Sequence, residues 1–114
     1  MSQPKNLYHF MGEPDQFFQI IKKVNRLVVA DFFATWCGPC KRLGEIIPTI
    51  ANENPDVVFL KVDVDSAKAL AAQYRIQSVP TIKFFKIDST GQVQELATVA
   101  GDPTAIRSKI KELK

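Results

Sequence analysis

Hydrophobic residues recur along this chain with two periods, and the switches between them divide it into elements. Phe17, Ile20, Ile21 and Val24 keep helical spacing behind Glu13, Pro14 and Asp15, which mark a helix start. The stretch "GPCKRLGEIIPTIANEN" (38–54) repeats that spacing with Leu43, Ile46, Ile47 and Ile50. Between the two, "RLVVADFFA" (26–34) is a continuous β-branched and aromatic run, the pattern of a strand buried on both faces. "VVFLKVDVD" (57–65) predicts a second such strand and "NLYHF" (6–10) a short one ahead of both. "SAKALAAQY" (66–74) predicts a short helix with Ser66 as its N-cap. "TIKFFKI" (81–87) and "QVQELATV" (92–99) flank "DSTG" and predict an antiparallel hairpin. Asp102 followed by Pro103 then opens a last helix through Leu113. The order β-α-β-α-β-α-β-β-α predicts an α/β fold in one domain over residues 1–114, a mixed central sheet of about five strands flanked by four helices.

One residue breaks the helical pattern. Pro48 has no N–H to donate, and its ring presses on the carbonyl four positions back, which belongs to Gly44. A kink is expected there, absorbed by the glycine.

Composition narrows the function classes. A chain of 114 residues, 46% apolar and 24% charged, suffices for one hydrophobic core and is not that of a disordered protein. The net charge of +3 is scattered, so no nucleic-acid partner is expected. Arg107, Lys109, Lys111 and Lys114 suit the negative end of the last helix. No run approaches the roughly 20 apolar residues of a membrane span. The start, "MSQPKNLYHF", has neither a signal nor a transit pattern, so a cytoplasmic, membrane-free protein is the expectation.

Both cysteines lie in "ATWCGPCK", directly after the buried strand. Two are too few for a disulfide scaffold. A structural zinc site needs four Cys or His ligands, and Cys37, Cys40 and the lone His9 do not supply them. An inert staple across so short a loop removes little chain entropy. Thiol–disulfide exchange remains. Cys37 falls at the helix start, where free N–H groups and the helix dipole favour its thiolate. Cys40, one turn in, is expected to be the more sheltered thiol, so Cys37 attacks a disulfide and Cys40 resolves the mixed intermediate. Asp31 interrupts the apolar run of the preceding strand. It is either a solvated strand-end residue or a buried acid that exchanges a proton with Cys40, and its unbroken apolar neighbours favour the second reading. Lys61 is placed either in solvent or across the sheet from Asp31, modulating its titration.

"VADFFATWCGPCK", "FLKVDVD" and "IQSVPTIKFF" together resemble the thioredoxin family over nearly the whole chain. The resemblance implies the thioredoxin fold, with Cys37 as nucleophile, Cys40 as resolving thiol, Asp31 as buried acid and Lys61 beside it. It further implies a cis bond before Pro80, opposite the dithiol, and an apolar substrate-binding rim of Trp36, Gly38, Pro39, Val79, Ala100 and Gly101. The activity implied is that of a general protein-disulfide reductase with no bound cofactor. Its electrons would come from a separate thioredoxin reductase that uses FAD and NADPH. Clients of the peroxiredoxin, ribonucleotide reductase and methionine sulfoxide reductase classes are implied, with the protein itself a monomer. Gly38-Pro39 between the cysteines supports a reductant, because oxidising isomerase-type domains commonly carry Gly-His there. The family's reductants and DsbA-type oxidants lie about 150 mV apart, or about 7 kcal/mol. A second reading from another class is a docking module whose redox state only tunes affinity.

Three departures from the family pattern stand out. Phe33 occupies a position where many bacterial members have Trp. Pro48 lies further along its helix than the usual kink proline. The segment from Phe85 to Gly101 is several residues longer than usual, which predicts an extended hairpin or a bulge near the rim. The chain also lacks the additional cysteines of some animal members, so regulation or dimerisation through them is not expected.

Overall fold

The computed structural model describes residues 3–114. Its elements are β1 (Leu7–Phe10), α1 (Pro14–Val24), β2 (Val28–Phe33), α2 (Gly38–Glu53), β3 (Val58–Asp63), α3 (Lys68–Gln73), β4 (Thr81–Ile87), β5 (Val93–Ala100) and α4 (Pro103–Leu113). The sheet order is β1-β3-β2-β4-β5. β1, β3 and β2 run parallel, and β4 and β5 complete the sheet antiparallel. Parallel neighbours need crossover helices, and these cover both faces.

Alternation along the strands sorts the core into two layers. Val29, Phe59, Ile82 and Phe84 pack with Leu43, Ile47 and Ile50 of α2 and with Ile106 and Ile110 of α4. Val28, Ala30, Phe32, Leu60 and Phe85 pack on the opposite face with Phe17 and Ile21 of α1 and Leu70 of α3. Phe17 anchors that second layer by edge-on contacts to Phe10 and Phe85, at 5.4 and 5.3 Å between centroids. A strand feeding both layers reads as an unbroken apolar run, which is why 26–34 lacks period-two alternation.

Local chemistry sets the ends. Asp102 accepts the Thr104 N–H at 3.1 Å and caps α4. Asn6 reaches from the turn before β1 to the carbonyls of Ala51, Asn54 and Val57, closing the end of α2 against β3. α2 continues as one helix through Pro48. Ser66 does not cap α3, whose N-cap is Ala67 without a side-chain bond. Asp63 claims that turn instead. Its carboxylate accepts the Asp65 N–H and the Ser66 hydroxyl, and its carbonyl accepts the N–H groups of Ser66 and Ala67.

The long segment after Phe85 forms a bulge in mid-strand, well before the Ala100 end of β5. Phe84 pairs with Ala97 and Phe85 with Glu95, so Leu96 is the extra residue and is exposed. The bulge flips the facing of β5. Without it Leu96 would stand beside Thr98; with it Glu95 does. Glu95 and Thr98 then hold Lys83, 8% exposed, at 2.8 and 2.9 Å. Lys83 Nζ also lies 5.9 Å from the centre of the Tyr74 ring. Glu95→Leu should strand this buried ammonium and destabilise the fold by about 2 kcal/mol, the partner's partial exposure moderating the cost. Adding Lys83→Met should restore most of that loss, as read by urea denaturation of the two single variants and the double.

Candidate functional site

β2 ends at Phe33, and a turn closed by Cys37 N–H to the Ala34 carbonyl, at 3.2 Å, delivers the chain into α2. Cys37 is the N-cap, with extended backbone, and its Sγ takes the place usually held by a side-chain oxygen. It accepts the Cys40 N–H at 3.1 Å. The two cysteines are joined as a disulfide, with Cα atoms 5.2 Å apart. Accessibility does not separate them in this closed state, since they are 5% and 4% exposed. Their surroundings do. Cys37 Sγ receives the amide and lies 3.7 Å from the Val79 carbonyl oxygen. Cys40 borders a cavity of about 340 Å³ that Phe33, Gly44 and Lys61 also line.

Asp31 is 3% exposed, and neither carboxylate oxygen has a hydrogen-bond partner among the described residues. Alternation along β2 sends it, like Val29, to the α2 side of the sheet. Its register partners are Lys61 on β3 and Ile82 on β4. Desolvation pushes its pKa up from 3.8 to about 6, and the Lys61 charge pulls in the opposite direction. Lys61 is half-buried, with Nζ 4.7 Å from the centre of the Phe33 ring. A Cβ on Gly44 would stand 3.3 Å from that ammonium, so the glycine makes room for it. Sequence reasoning assigned Gly44 only to relief of Pro48.

The Val79–Pro80 bond is cis. Among the described residues, neither the N–H nor the carbonyl of Val79 takes part in a backbone hydrogen bond. Val79, Phe33 and Val64 pack against the cysteines and Ala34. Gly38 and Pro39 are exposed at the start of α2. Ala100 pairs with Thr81, and Gly101 lies so close to Pro80 that a Cβ there would overlap the proline ring. Trp36 is 70% exposed, and its indole N–H donates to Asp65 Oδ2 at 3.0 Å. A depression of about 330 Å³ beside Trp36 and Val79 is completed by Val64, Ile76, Gln77 and Ser78. Sequence reasoning missed these four and Asp65. The position of Asp65, just past the carboxyl end of a strand parallel to β2, was the available signal. His9 is exposed on β1, and no cluster of three or more His, Cys, Asp or Glu side chains among the described residues could hold a metal ion.

A cysteine pair closed across the first turn of a helix, at the carboxyl end of a buried parallel strand, has the architecture of a thiol–disulfide oxidoreductase. The thioredoxin family model matches residues 9–112. Thioredoxin from Geodia cydonium is 38% identical over 95% of this chain and 100% of its own length. Thioredoxin from Mycoplasmoides gallisepticum is 50% identical over 54% of the chain, a match that spans 62% of that relative. Among solved structures, Trichomonas vaginalis thioredoxin superposes with a TM-score of 0.91 at 40% identity, covering 99% of this chain and 100% of its own. A chain from a structure on thiol resolution in yeast mitochondrial 1-Cys peroxiredoxin via glutathione/thioredoxin systems gives 0.83 at 31% identity, covering 98% and 100%. The chain belongs to the thioredoxin family, and Cys37–Cys40 is its redox-active pair.

The raised pKa of Asp31 fixes a pH dependence of stability. Below about pH 4 the carboxyl is protonated in both folded and unfolded chains and carries no ionic penalty. As pH rises from there through about 6, the unfolded chain ionises first, so stability falls. Asp31→Asn should therefore exceed the native protein by up to about 3 kcal/mol at pH 8 and by little near pH 4, as read by denaturant titration. Lys61→Met removes the opposing charge and should raise the Asp31 pKa above about 6 in a carboxyl NMR titration.

Proposed function

We propose that the chain is a general protein-disulfide reductase. The observation that carries this reading is the closed Cys37–Cys40 pair at the start of α2, facing the backbone of Val79. In the reduced protein Cys37 is the nucleophile. Its thiolate attacks one sulfur of a client disulfide, forming a mixed disulfide and expelling the other client sulfur as a thiolate, which takes up a proton. Cys40 then loses its proton and attacks Cys37 Sγ, expelling the second client thiolate and closing the disulfide. One client disulfide has gained two electrons and two protons, and this chain has lost them.

Asp31 is the proton acceptor for Cys40. Supporting this, Lys61, its partner across the sheet, and Cys40 line one cavity, and no fixed hydrogen bond competes for the carboxylate. Lys61 modulates it. The client segment lies on the rim of Trp36, Gly38, Pro39, Val79, Pro80, Ala100 and Gly101, where the unpaired backbone of Val79 offers strand-type hydrogen bonds. Asp65 holds the Trp36 indole at that rim.

No cofactor is bound. Electrons return from a thioredoxin reductase using FAD and NADPH, and the clients are of the peroxiredoxin, ribonucleotide reductase and methionine sulfoxide reductase classes. The similarity to a chain studied with a 1-Cys peroxiredoxin supports the first of these. The protein acts as a cytoplasmic monomer of one domain. No helix among the described residues is long and apolar enough to cross a membrane.

NADPH consumption with a thioredoxin reductase and insulin should show turnover, and its absence from the folded protein would overturn the reading. Cys40→Ser should trap mixed disulfides through Cys37, whereas a docking module would bind its partner equally well with both cysteines replaced. Asp31→Asn should slow release of the mixed disulfide by about tenfold or more while leaving the first attack nearly unchanged, as followed by stopped-flow fluorescence.

A further inference from the structure

A cavity of about 760 Å³ lies away from the dithiol, between α1 and the outer side of β1. Ile20, Val24 and Leu60 give it apolar walls, and Lys23 and Arg26 border it. A second cavity of about 410 Å³ shares Tyr8, Arg26 and Val58 with the first and extends to Lys5. Together they form one trough along β1.

Three independent features describe what would fill it. Among the described residues β1 is an edge strand, paired with β3 alone. The Asn6 carbonyl accepts the Phe59 N–H, so alternation turns the peptide groups of Tyr8 and Phe10 toward β3 and leaves those of His9 facing outward. Two large apolar side chains, Tyr8 at 53% and Met11 at 82% exposure, border the trough. Among the described residues no carboxylate lines either cavity, whereas Lys5, Lys23 and Arg26 do. None of these three cations forms a salt bridge among the described residues. The acid within reach of Arg26 is Asp56, whose carboxylate is held by Lys114 at 3.1 Å.

We propose that this trough binds an extended acidic peptide segment of a partner protein. The segment adds as a strand outside β1, seats an apolar side chain among Ile20, Val24 and Leu60, and sets its carboxylates against Lys5, Lys23 and Arg26. Phe10 and Phe32 both pair with Val62, so the Met11 end of the trough is level with the end of β2 that leads to Cys37. Two strand spacings, about 10 Å, separate β1 from β2. A segment held there brings its carrier to the dithiol end of the sheet and raises its effective concentration. The delivery rests on the reductase reading above; the binding does not.

The test is titration of the oxidised full chain with a fluorescein-labelled peptide of alternating Glu and Leu, with ¹⁵N NMR to locate the contact. Saturable binding is expected, with shift changes at His9, Met11 and Lys23. It should persist when both cysteines are Ser and weaken about tenfold or more in the Lys23→Glu, Arg26→Glu double variant, whose two sites are exposed. Circular dichroism checks that this variant folds. Lack of saturation, shift changes confined to Trp36 and Val79, or equal binding of a Lys-Leu peptide would overturn the proposal. So would binding of dodecanoate without binding of the peptide, which would make the trough a site for small amphipathic anions. Loss of insulin reduction with peptide binding intact would instead count only against the reductase reading.

Discussion

Strand β2 lies between β3 and β4, so its peptide groups are satisfied on both edges, and helices cover both of its faces. A side chain in such a strand has nowhere to go but a packed layer. Valine, alanine and phenylalanine accept that at no polar cost; Asp31 does not. Its carboxylate is desolvated without a hydrogen bond, and a raised pKa is the result. The same strand ends one turn before Cys37, so the element that buries the acid also aims the dithiol. Position and protonation state therefore have one structural origin.

The neighbours adjust that origin without removing it. Lys61 reaches the α2 side of the sheet from the adjacent strand, over Phe33 and past the bare Cα of Gly44. It opposes desolvation but makes no salt bridge to Asp31 among the described residues. Such an arrangement keeps the carboxyl within the range where a proton can be taken and returned near neutral pH. A direct ion pair would have held it ionised. Gly101 plays the corresponding part on the opposite wall, where the absence of a Cβ lets the end of β5 close on Pro80.

Much of this was legible because it is local. Periodicity located the nine elements, and the WCGPC turn after an apolar strand marked the redox pair. Asp31 stood out because a charge in a fully apolar run has few structural explanations. What escaped depends on partners distant in sequence. Ser66 looked like a cap until Asp63 engaged it, and Gly44 looked like a companion of Pro48 until Lys61 was seen beside it. Nothing local marked Lys83, because its burial requires the registers of both β4 and β5. The shelter of Cys37 was only partly readable, since Val64 and Val79, far along the chain, complete it beside the nearby Phe33 and Ala34.

The bulge at Leu96 has a consequence for the history of the chain. One inserted residue exchanges a leucine for a glutamate on the face of β5 that meets Lys83. The two changes are coupled: the insertion without the lysine leaves a half-exposed Glu95 without its ion pair, and the lysine without the insertion keeps Thr98 but meets Leu96 where its carboxylate partner stands. Chain length and charge are therefore physically coupled at this point of β5. Relatives should carry both or neither, and a gap placed anywhere else in β5 would pair Lys83 with the wrong neighbour.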